Sequence, residues 1–145
     1  MFAVAIFIIA SIYDIFYLGW KIHDSRFLFY FGVVLIIIGM VIRIIGERQL
    51  KKQFSLFVKI RKDHNLITTG LYKYVRHPLY SAAILAAIGG IIAFNSWLGC
   101  IAVVFLMTPA LVYRIKIEEE ALIKKFGKQY SDYKKKVKML VPWIY

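Results

Sequence analysis

Cysteine and histidine are scarce in this 145-residue sequence, and that scarcity excludes several kinds of site. Cys100 is the only cysteine, so the chain can form neither an internal disulfide framework nor a thiolate metal cluster. The three histidines, His23, His64 and His77, lack metal-ligand spacing. We therefore expect no metal site.

Acidic residues are also few, with 8 Asp and Glu against 20 Lys and Arg and a net charge of +12. Hydrophobic residues make up 61% of the chain, well above the roughly 45–50% of soluble domains. One soluble core of this size could not bury them all, so lipid must surround part of the chain. The basic residues lie between apolar runs of membrane length, which favours contact with anionic headgroups over nucleic-acid binding.

Long apolar runs predict membrane-spanning helices, each of which needs about 20 mostly apolar residues. The uncharged stretch from Leu79 to Tyr113 is too long for one crossing, so a hairpin with its turn at Asn95-Ser96 is expected. Gly89, Gly90 and Gly99 would allow close helix packing, and Pro109 should kink the last helix. The sequence thus predicts an all-α integral membrane bundle, a single domain over 1–145, with spans at about 2–20, 27–45, 79–94 and 97–113.

Basic residues predict the orientation of this bundle. Segment 47–78 holds eight Lys or Arg and segment 114–145 holds nine, whereas the Asn95-Ser96 turn has none. Both rich segments and both termini are therefore expected on the cytoplasmic side, where the two segments could bind a soluble cofactor. The absence of Lys and Arg before Lys21 argues against a cleavable signal peptide. The Lys- and Ile-rich composition favours a prokaryotic plasma membrane over the endoplasmic reticulum.

The C-terminal segment predicts an amphipathic helix from about Glu118 to Val137. Its apolar face is spaced by three and four residues, and lysines occupy the rest, as on a helix that rests on lipid headgroups. The face comprises Leu122, Phe126, Tyr130, Tyr133 and Val137.

Segment 64–80 is the longest stretch that mixes His, Arg, Gly and Tyr. Pro78 suits the first position of the third span, which puts Arg76 and His77 at a helix N-terminus beside water. Such groups, together with unpaired helix N–H groups, suit an anionic part of a cofactor. The alternative is that these residues only anchor the chain at the membrane surface.

A second group of charged residues follows the fourth predicted span. Arg114 and Glu118 are one helical turn apart, and Glu119 and Glu120 come next. An ordinary surface ion pair explains this pattern and would add only tenths of a kcal/mol, on the order of 0.3. An Arg at the mouth of a bundle would equally suit a substrate carboxylate.

Both groups together resemble the isoprenylcysteine carboxyl methyltransferase family and its phospholipid methyltransferase relatives. The family pattern has a His-x-Leu-(Val/Ile)-Thr-x-Gly-x-Tyr-x-x-x-Arg-His-Pro-x-Tyr segment, a transmembrane hairpin, Arg-x-x-x-Glu-Glu, Phe-Gly and Tyr-x-x-Tyr. Here these segments begin at His64, Arg114, Phe126 and Tyr130. The resemblance covers the second half of the chain and implies a methyltransferase that uses S-adenosyl-L-methionine.

The resemblance also implies roles for single residues. Glu118 would receive the cofactor amino group and Arg114 would face the substrate, which makes these two the candidate catalytic residues. Where the family offers a Gln to the adenosine, the nearest position here is Lys59. The implied cofactor-binding residues are His64, Asn65, Leu66, Ile67, Tyr72, His77, Pro78, Leu79, Tyr80, Glu118 and Glu119.

The expected acceptor is a lipid-like carboxylate, such as that of an isoprenylated cysteine, carried by a membrane lipid, a small molecule or a protein. Carboxyl groups are ionised at neutral pH, since their pKa lies near 4, whereas the amine of a phospholipid must first lose a proton. For that second acceptor Glu119 is the obvious base. An NADPH-dependent sterol-type reductase would share the Arg-His segment and lack the Glu pair. A four-helix transporter would need charges at mid-membrane, and Asp14 is better placed as a boundary residue.

Overall fold

A computed structural model describes residues 2–18, 22–50 and 65–142, and over these residues the protein is helical, with no named strand. The predicted all-α class is therefore confirmed for the described part of the chain. His64 and Lys59 lie outside it. The helices are α1 (Phe2–Tyr13), α2 (Arg26–Leu50), α3 (Pro78–Phe94), α4 (Trp97–Ala102), α5 (Thr108–Phe126) and α6 (Lys128–Lys136), with π-helical turns at Asp14–Leu18 and Val103–Met107 and a 3₁₀ turn at Gly70–Lys73.

Two helical stretches in the described residues are long and apolar enough to cross a membrane, Arg26–Leu50 and the continuous stretch Trp97–Phe126. Two shorter apolar stretches, Ala5–Leu18 and Pro78–Phe94, accompany them. Each of the four spans suggested by the sequence overlaps one of these helices. The last helix continues well beyond residue 113, because α5 carries Arg114 and the three glutamates.

Glycines bring α2 and α3 into backbone contact. A Cβ on Gly32 would lie 2.6 Å from the carbonyl oxygen of Gly89, and one on Gly39 would lie 2.8 Å from that of Ala82. Because Gly32 faces the end of α3 and Gly46 faces Leu79 near its start, the two helices run antiparallel. The close packing expected at Gly89 is confirmed, while the seven-residue glycine spacing of α2 had not been recognised in the sequence.

The connections at one end of the bundle are joined by uncharged hydrogen bonds. The Asn95 side-chain oxygen accepts from the backbone N–H groups of Ile22 and His23, both at 2.7 Å, and its amide donates to the His23 carbonyl. Asn95 has a φ of 55°, a left-handed conformation that Asn tolerates well. The hairpin turn predicted at Asn95-Ser96 is confirmed.

Asp14 lies at this same end, which we call the loop end. One of its oxygens accepts from the Ser96 hydroxyl at 2.7 Å and from the Leu98 N–H at 3.2 Å. Only 1% of Asp14 is exposed. Asp14 therefore secures the start of α4 to α1, as expected of a boundary residue.

The single C-terminal helix predicted from Glu118 to Val137 is wrong. Helix α5 ends at Phe126, and Gly127 has a φ of 52°, a conformation that favours glycine over residues with a side chain. Helix α6 then begins at Lys128 in a new direction and buries Tyr130 and Tyr133. The apolar face of the sequence is real, but it is divided between two helices.

The chain after α6 is extended and returns to the start of α3. Val137 is extended, and Lys138 forms a parallel bridge with Val75. Arg76 donates its backbone N–H to the Lys138 carbonyl at 2.8 Å, and His77 donates to Met139 at 3.1 Å. We call residues 137–140 the C-terminal strap.

Candidate active site

The candidate site forms where the start of α3 meets the middle of α5, at the opposite end of the bundle from Asn95. Pro78 occupies the first turn of α3, where its missing N–H costs no hydrogen bond. His77 precedes it, and Tyr80 lies in the same turn. Glu118 and Glu119 lie about 40 residues further along the chain and in direct contact with this turn.

The contact between Tyr80 and Glu118 joins α3 to α5 at the centre of the site. The Tyr80 hydroxyl donates to Glu118 Oε2 at 2.8 Å. The Arg114 guanidinium lies close enough to the Tyr80 hydroxyl to interact with it electrostatically. Both Arg114 and Glu118 are half-buried, so each has one side toward protein and one toward its surroundings. A carboxylate and a guanidinium, one helical turn apart on α5, thereby meet a phenol from α3.

Glu119, the neighbour of Glu118, points into a group of hydrogen-bond donors formed by Arg76, His77 and Lys134. Its Oε1 accepts from Arg76 Nε at 2.9 Å and from His77 Nε2 at 3.2 Å. Its Oε2 accepts from Lys134 Nζ at 2.6 Å. Only 5% of Glu119 is exposed, so its charge is balanced by these donors rather than by water.

Arg76 joins this group to the C-terminal strap. Its Nη1 donates to the Val137 carbonyl at 2.5 Å and to the Lys134 carbonyl at 3.2 Å. Ser81, one turn into α3, donates its hydroxyl to the Leu140 carbonyl at 2.5 Å. The first turn of α3 is therefore bound to the strap by side chains as well as by the backbone.

Two tyrosines of α6 complete the buried wall behind the site. The Tyr133 hydroxyl donates to the Tyr72 carbonyl at 2.6 Å, which ties α6 to the 3₁₀ turn. Burial raises the pKa of Tyr133 to about 12, so this hydroxyl keeps its proton at neutral pH. Tyr130 is 1% exposed and is the largest fully buried side chain of the described residues.

The structure assembles part of the set suggested by the sequence. His77, Pro78, Tyr80, Arg114, Glu118 and Glu119 come together, and Tyr72 is buried beside them. Leu79 is half-buried and faces Gly46 of α2. Asn65 is exposed, and Leu66 and Ile67 are half-buried, in the extended chain before the 3₁₀ turn.

Two residues that bind Glu119 behind the site had not been assigned to this contact from the sequence. Arg76 had been interpreted as a boundary residue that suits an anionic cofactor group, whereas its side chain binds the carboxylate of Glu119. Lys134 had been placed among the headgroup-facing lysines, since nothing distinguishes it from Lys135 and Lys136. The amides of Tyr80 and Ser81, in turn, both donate to the His77 carbonyl and are not available to an anionic ligand.

Comparison with known proteins gives a consistent assignment. The model of the isoprenylcysteine carboxyl methyltransferase (ICMT) family matches residues 32–124. Protein-S-isoprenylcysteine O-methyltransferase of Saccharomyces cerevisiae is 35% identical over 115 residues, which are 78% of this chain and 48% of the yeast protein. A probable protein-S-isoprenylcysteine O-methyltransferase of Oryza sativa subsp. indica is 33% identical over 126 residues, 86% of this chain and 66% of the rice protein.

A solved structure extends the likeness to the fold. The eukaryotic intramembrane Ras methyltransferase ICMT matches with a TM-score of 0.75 and 26% identity, over 99% of this chain and 52% of that one. The chain thus spans about half to two thirds of the length of these relatives. Its apolar helices and this likeness identify an integral membrane protein. The family match, which covers well over half of the residues, shows that the chain belongs to the isoprenylcysteine carboxyl methyltransferase family.

Proposed function

We propose that the protein transfers a methyl group from S-adenosyl-L-methionine to the carboxylate of a lipid-like acceptor, such as an isoprenylated cysteine. The observation that carries this proposal is the contact between Tyr80 and Glu118 beside Arg114. It gives one carboxylate and one guanidinium in a shared site. The yeast and rice relatives bear the name of the corresponding O-methyltransferase.

The residues present suit the cofactor. S-adenosyl-L-methionine carries an ammonium group, and Glu118 is a half-buried carboxylate that is oriented by Tyr80. Tyr80 is half-buried and offers the face of its ring beside Glu118, and the buried His77 ring lies 5.6 Å behind it. When bound, the cofactor supplies a methyl group on a sulfonium, which is a good leaving group. We assign the cofactor to His64, Asn65, Leu66, Ile67, Tyr72, His77, Pro78, Leu79, Tyr80 and Glu118.

We place Glu119 behind the cofactor pocket rather than in contact with the cofactor. Its two oxygens already accept from three protein donors. Because it is almost fully buried, little of its carboxylate remains for a ligand. It is also unsuited to take a proton from a phospholipid amine, since the two cations Arg76 and Lys134 favour its charged form.

Arg114 is the proposed acceptor-binding residue. A guanidinium can give two parallel hydrogen bonds to a carboxylate, which fixes one oxygen in direction as well as in distance. The acceptor carboxylate is already ionised and needs no base, so the protein has to position it and exclude water. Arg114 lies in the part of α5 where a lipid chain could remain between apolar helices while its head reaches Glu118.

We further propose four membrane crossings, with the site end and both termini in the cytoplasm of a prokaryotic cell. The four apolar helical stretches supply the crossings. Segments 47–78 and 114–145 hold 17 of the 20 Lys and Arg residues, and the site is built from their described parts and the start of α3. The positive-inside rule places such segments in the cytoplasm.

Ligand binding and product analysis test the function in sequence. S-adenosylhomocysteine should raise the thermal stability of the purified protein, because a ligand that binds only the folded state stabilises it. NADPH serves as the control ligand and should have no effect. Stabilisation by NADPH alone would reject the proposal. Tritiated methyl transfer should then label a prenylated cysteine carboxylate, and label found only in phosphatidylethanolamine would reject the proposed acceptor.

A further inference from the structure

Next to the proposed cofactor pocket lies a largely buried group of hydrogen-bonded side chains, of which only His77 is also assigned to the cofactor. We call Arg76, His77, Glu119 and Lys134 the charged cluster. Arg76 and Glu119 side chains are each 7% exposed and lie 2.9 Å apart. Burying such charges is costly unless each has a partner, and in this cluster each donor reaches Glu119.

The cluster connects three segments that are distant in the sequence. Glu119 comes from α5, Arg76 and His77 from the turn before α3, and Lys134 from α6. Arg76 also binds the carbonyls of Lys134 and Val137, where α6 gives way to the C-terminal strap. The strap therefore leaves α6 at the point where the cluster holds it.

We propose that Glu119, Arg76 and Lys134 are positioning residues that clamp the C-terminal strap against the first turn of α3, and that this clamp sets how long the cofactor stays bound. The identity of the ligand rests on the proposed function. The clamp itself can be measured without that ligand.

The clamp reaches the pocket through two short routes. His77 donates to Glu119 and adjoins Pro78 and Tyr80, so the cluster fixes the orientation of the first turn of α3. Glu118 directly precedes Glu119 on α5, so a shift of one moves the other. On the outer side Ser81 binds the Leu140 carbonyl, which keeps the strap beside the turn that carries Tyr80.

Lys134 is the accessible member of the clamp. Its side chain is 43% exposed, whereas the side chains of its partners in the cluster are nearly buried. Water can therefore compete for Lys134 before it reaches the rest of the cluster, and an exposed ion pair contributes less than a buried one. We expect release of the strap to begin with the separation of Lys134 from Glu119.

Lys134→Gln removes the charge at this weak point and leaves Arg76 and His77 on Glu119. Lys134→Arg keeps the charge and should restore the clamp. Lys135→Gln is the matched control, because Lys135 is the next residue of α6, is 79% exposed and has only a 3.8 Å contact to Asp132. Glu119→Gln removes the shared acceptor charge and should have the largest effect.

The first readout is hydrogen exchange at the amides of Arg76 and His77, whose acceptors are strap carbonyls. In the full-length protein, Lys134→Gln should speed this exchange by about three- to tenfold, and Glu119→Gln by about ten- to a hundredfold. Lys134→Arg and Lys135→Gln should exchange like the unaltered protein. If exchange in Lys134→Gln is unchanged, the clamp proposal is wrong. This conclusion does not depend on whether Glu119→Gln folds.

The second readout is the dissociation rate of S-adenosylhomocysteine. This rate should rise in Lys134→Gln and rise further in Glu119→Gln, as hydrogen exchange does. Turnover of Lys134→Gln at saturating cofactor should stay within about twofold of that of the unaltered protein. If Lys134→Gln exchanges faster but releases S-adenosylhomocysteine at an unchanged rate, the clamp does not set how long the cofactor stays bound. If the unaltered protein binds no S-adenosylhomocysteine, the proposed function fails, and the exchange measurement still decides whether the clamp exists.

Discussion

The two ends of the helix bundle differ in how they join distant segments. The loop end uses Asn95, Ser96 and Asp14, whose side chains bond mainly to backbone groups or to one another. The site end uses charged side chains that bond to one another, around Glu119 and beside Glu118. The hydrogen bonds of the loop end need only to hold a connection. Charges held half-buried, as at Arg114 and Glu118, can in addition bind ionic ligands.

Arg114→Lys should have the largest effect on activity and so distinguish the site end from the loop end most clearly. Lysine keeps the charge and loses the two parallel donors, so the acceptor carboxylate is no longer aligned. The loss should be on the order of 2–5 kcal/mol, or roughly thirtyfold to several thousandfold in turnover, with cofactor affinity retained. Arg43→Lys is the control, since Arg43 forms an exposed pair with Glu47. Unaltered turnover in Arg114→Lys would reject the role of Arg114 in acceptor binding.

Glu118→Gln should weaken cofactor binding while it preserves the local structure. The Gln side-chain oxygen can still accept from Tyr80, but the charge for the cofactor ammonium is lost. Hydrogen bonds to charged groups contribute about 1.5–3 kcal/mol, so affinity for S-adenosylhomocysteine should fall by roughly ten- to a hundredfold. Isothermal titration measures it. An affinity equal to that of the unaltered protein would mean that Glu118 does not face the cofactor.

Asn95→Ala should lower stability and leave activity nearly intact, the reverse of the two site-end variants. The change removes the acceptor of the Ile22 and His23 amides, which are exposed and part-buried, at a net cost of about 0.5–1.5 kcal/mol for each bond in the free energy of unfolding. Asn95→Gly loses the same bonds but tolerates the φ of 55°. The difference between the two variants therefore isolates the conformational cost. A loss of turnover larger than the loss of folded protein would contradict the division between the ends.

Asp14→Asn should have the smallest effect. The side-chain oxygen of Asn can still accept from Ser96 and Leu98, so the free energy of unfolding should fall by less than about 1 kcal/mol. Thermal unfolding in one detergent measures this change. Abolished methyl transfer in a stably folded Asp14→Asn protein would show that the loop end takes part in function.

The sequence predicts the helices well, because hydropathy depends on single residues and their neighbours. The uncharged run from Leu79 to Tyr113 exceeds one crossing, so the hairpin follows from its length, and the polar pair Asn95-Ser96 in the middle of the run predicts the turn. The break at Gly127 does not follow. The apolar positions continue at helical spacing from Leu122 through Phe126 to Tyr130, and only the positive φ of Gly127 shows that the chain turns there.

The site could be predicted in part, because the sequence shows which residues are neighbours along one helix but not which distant segments meet. Arg114 and Glu118 share a helix face, and their meeting with Tyr80 follows from the family resemblance. The charged cluster required tertiary information. Lys134 reaches Glu119 only because α6 departs from the direction of α5, and along a single straight helix these residues, 15 apart, would be too distant to bond.

The most direct test of the account is a map of where S-adenosylhomocysteine protects the protein from hydrogen exchange. Protection should appear in peptides that cover the start of α3 and residues 114–120, and be absent from peptides around Ile22 and Asn95 at the loop end. At the lowest ligand concentration that saturates the unaltered protein, Glu118→Gln should show clearly reduced protection. Protection confined to the loop end, or none at either end under saturating ligand, would contradict the claim that the charged end of this bundle is a methyl-transfer site.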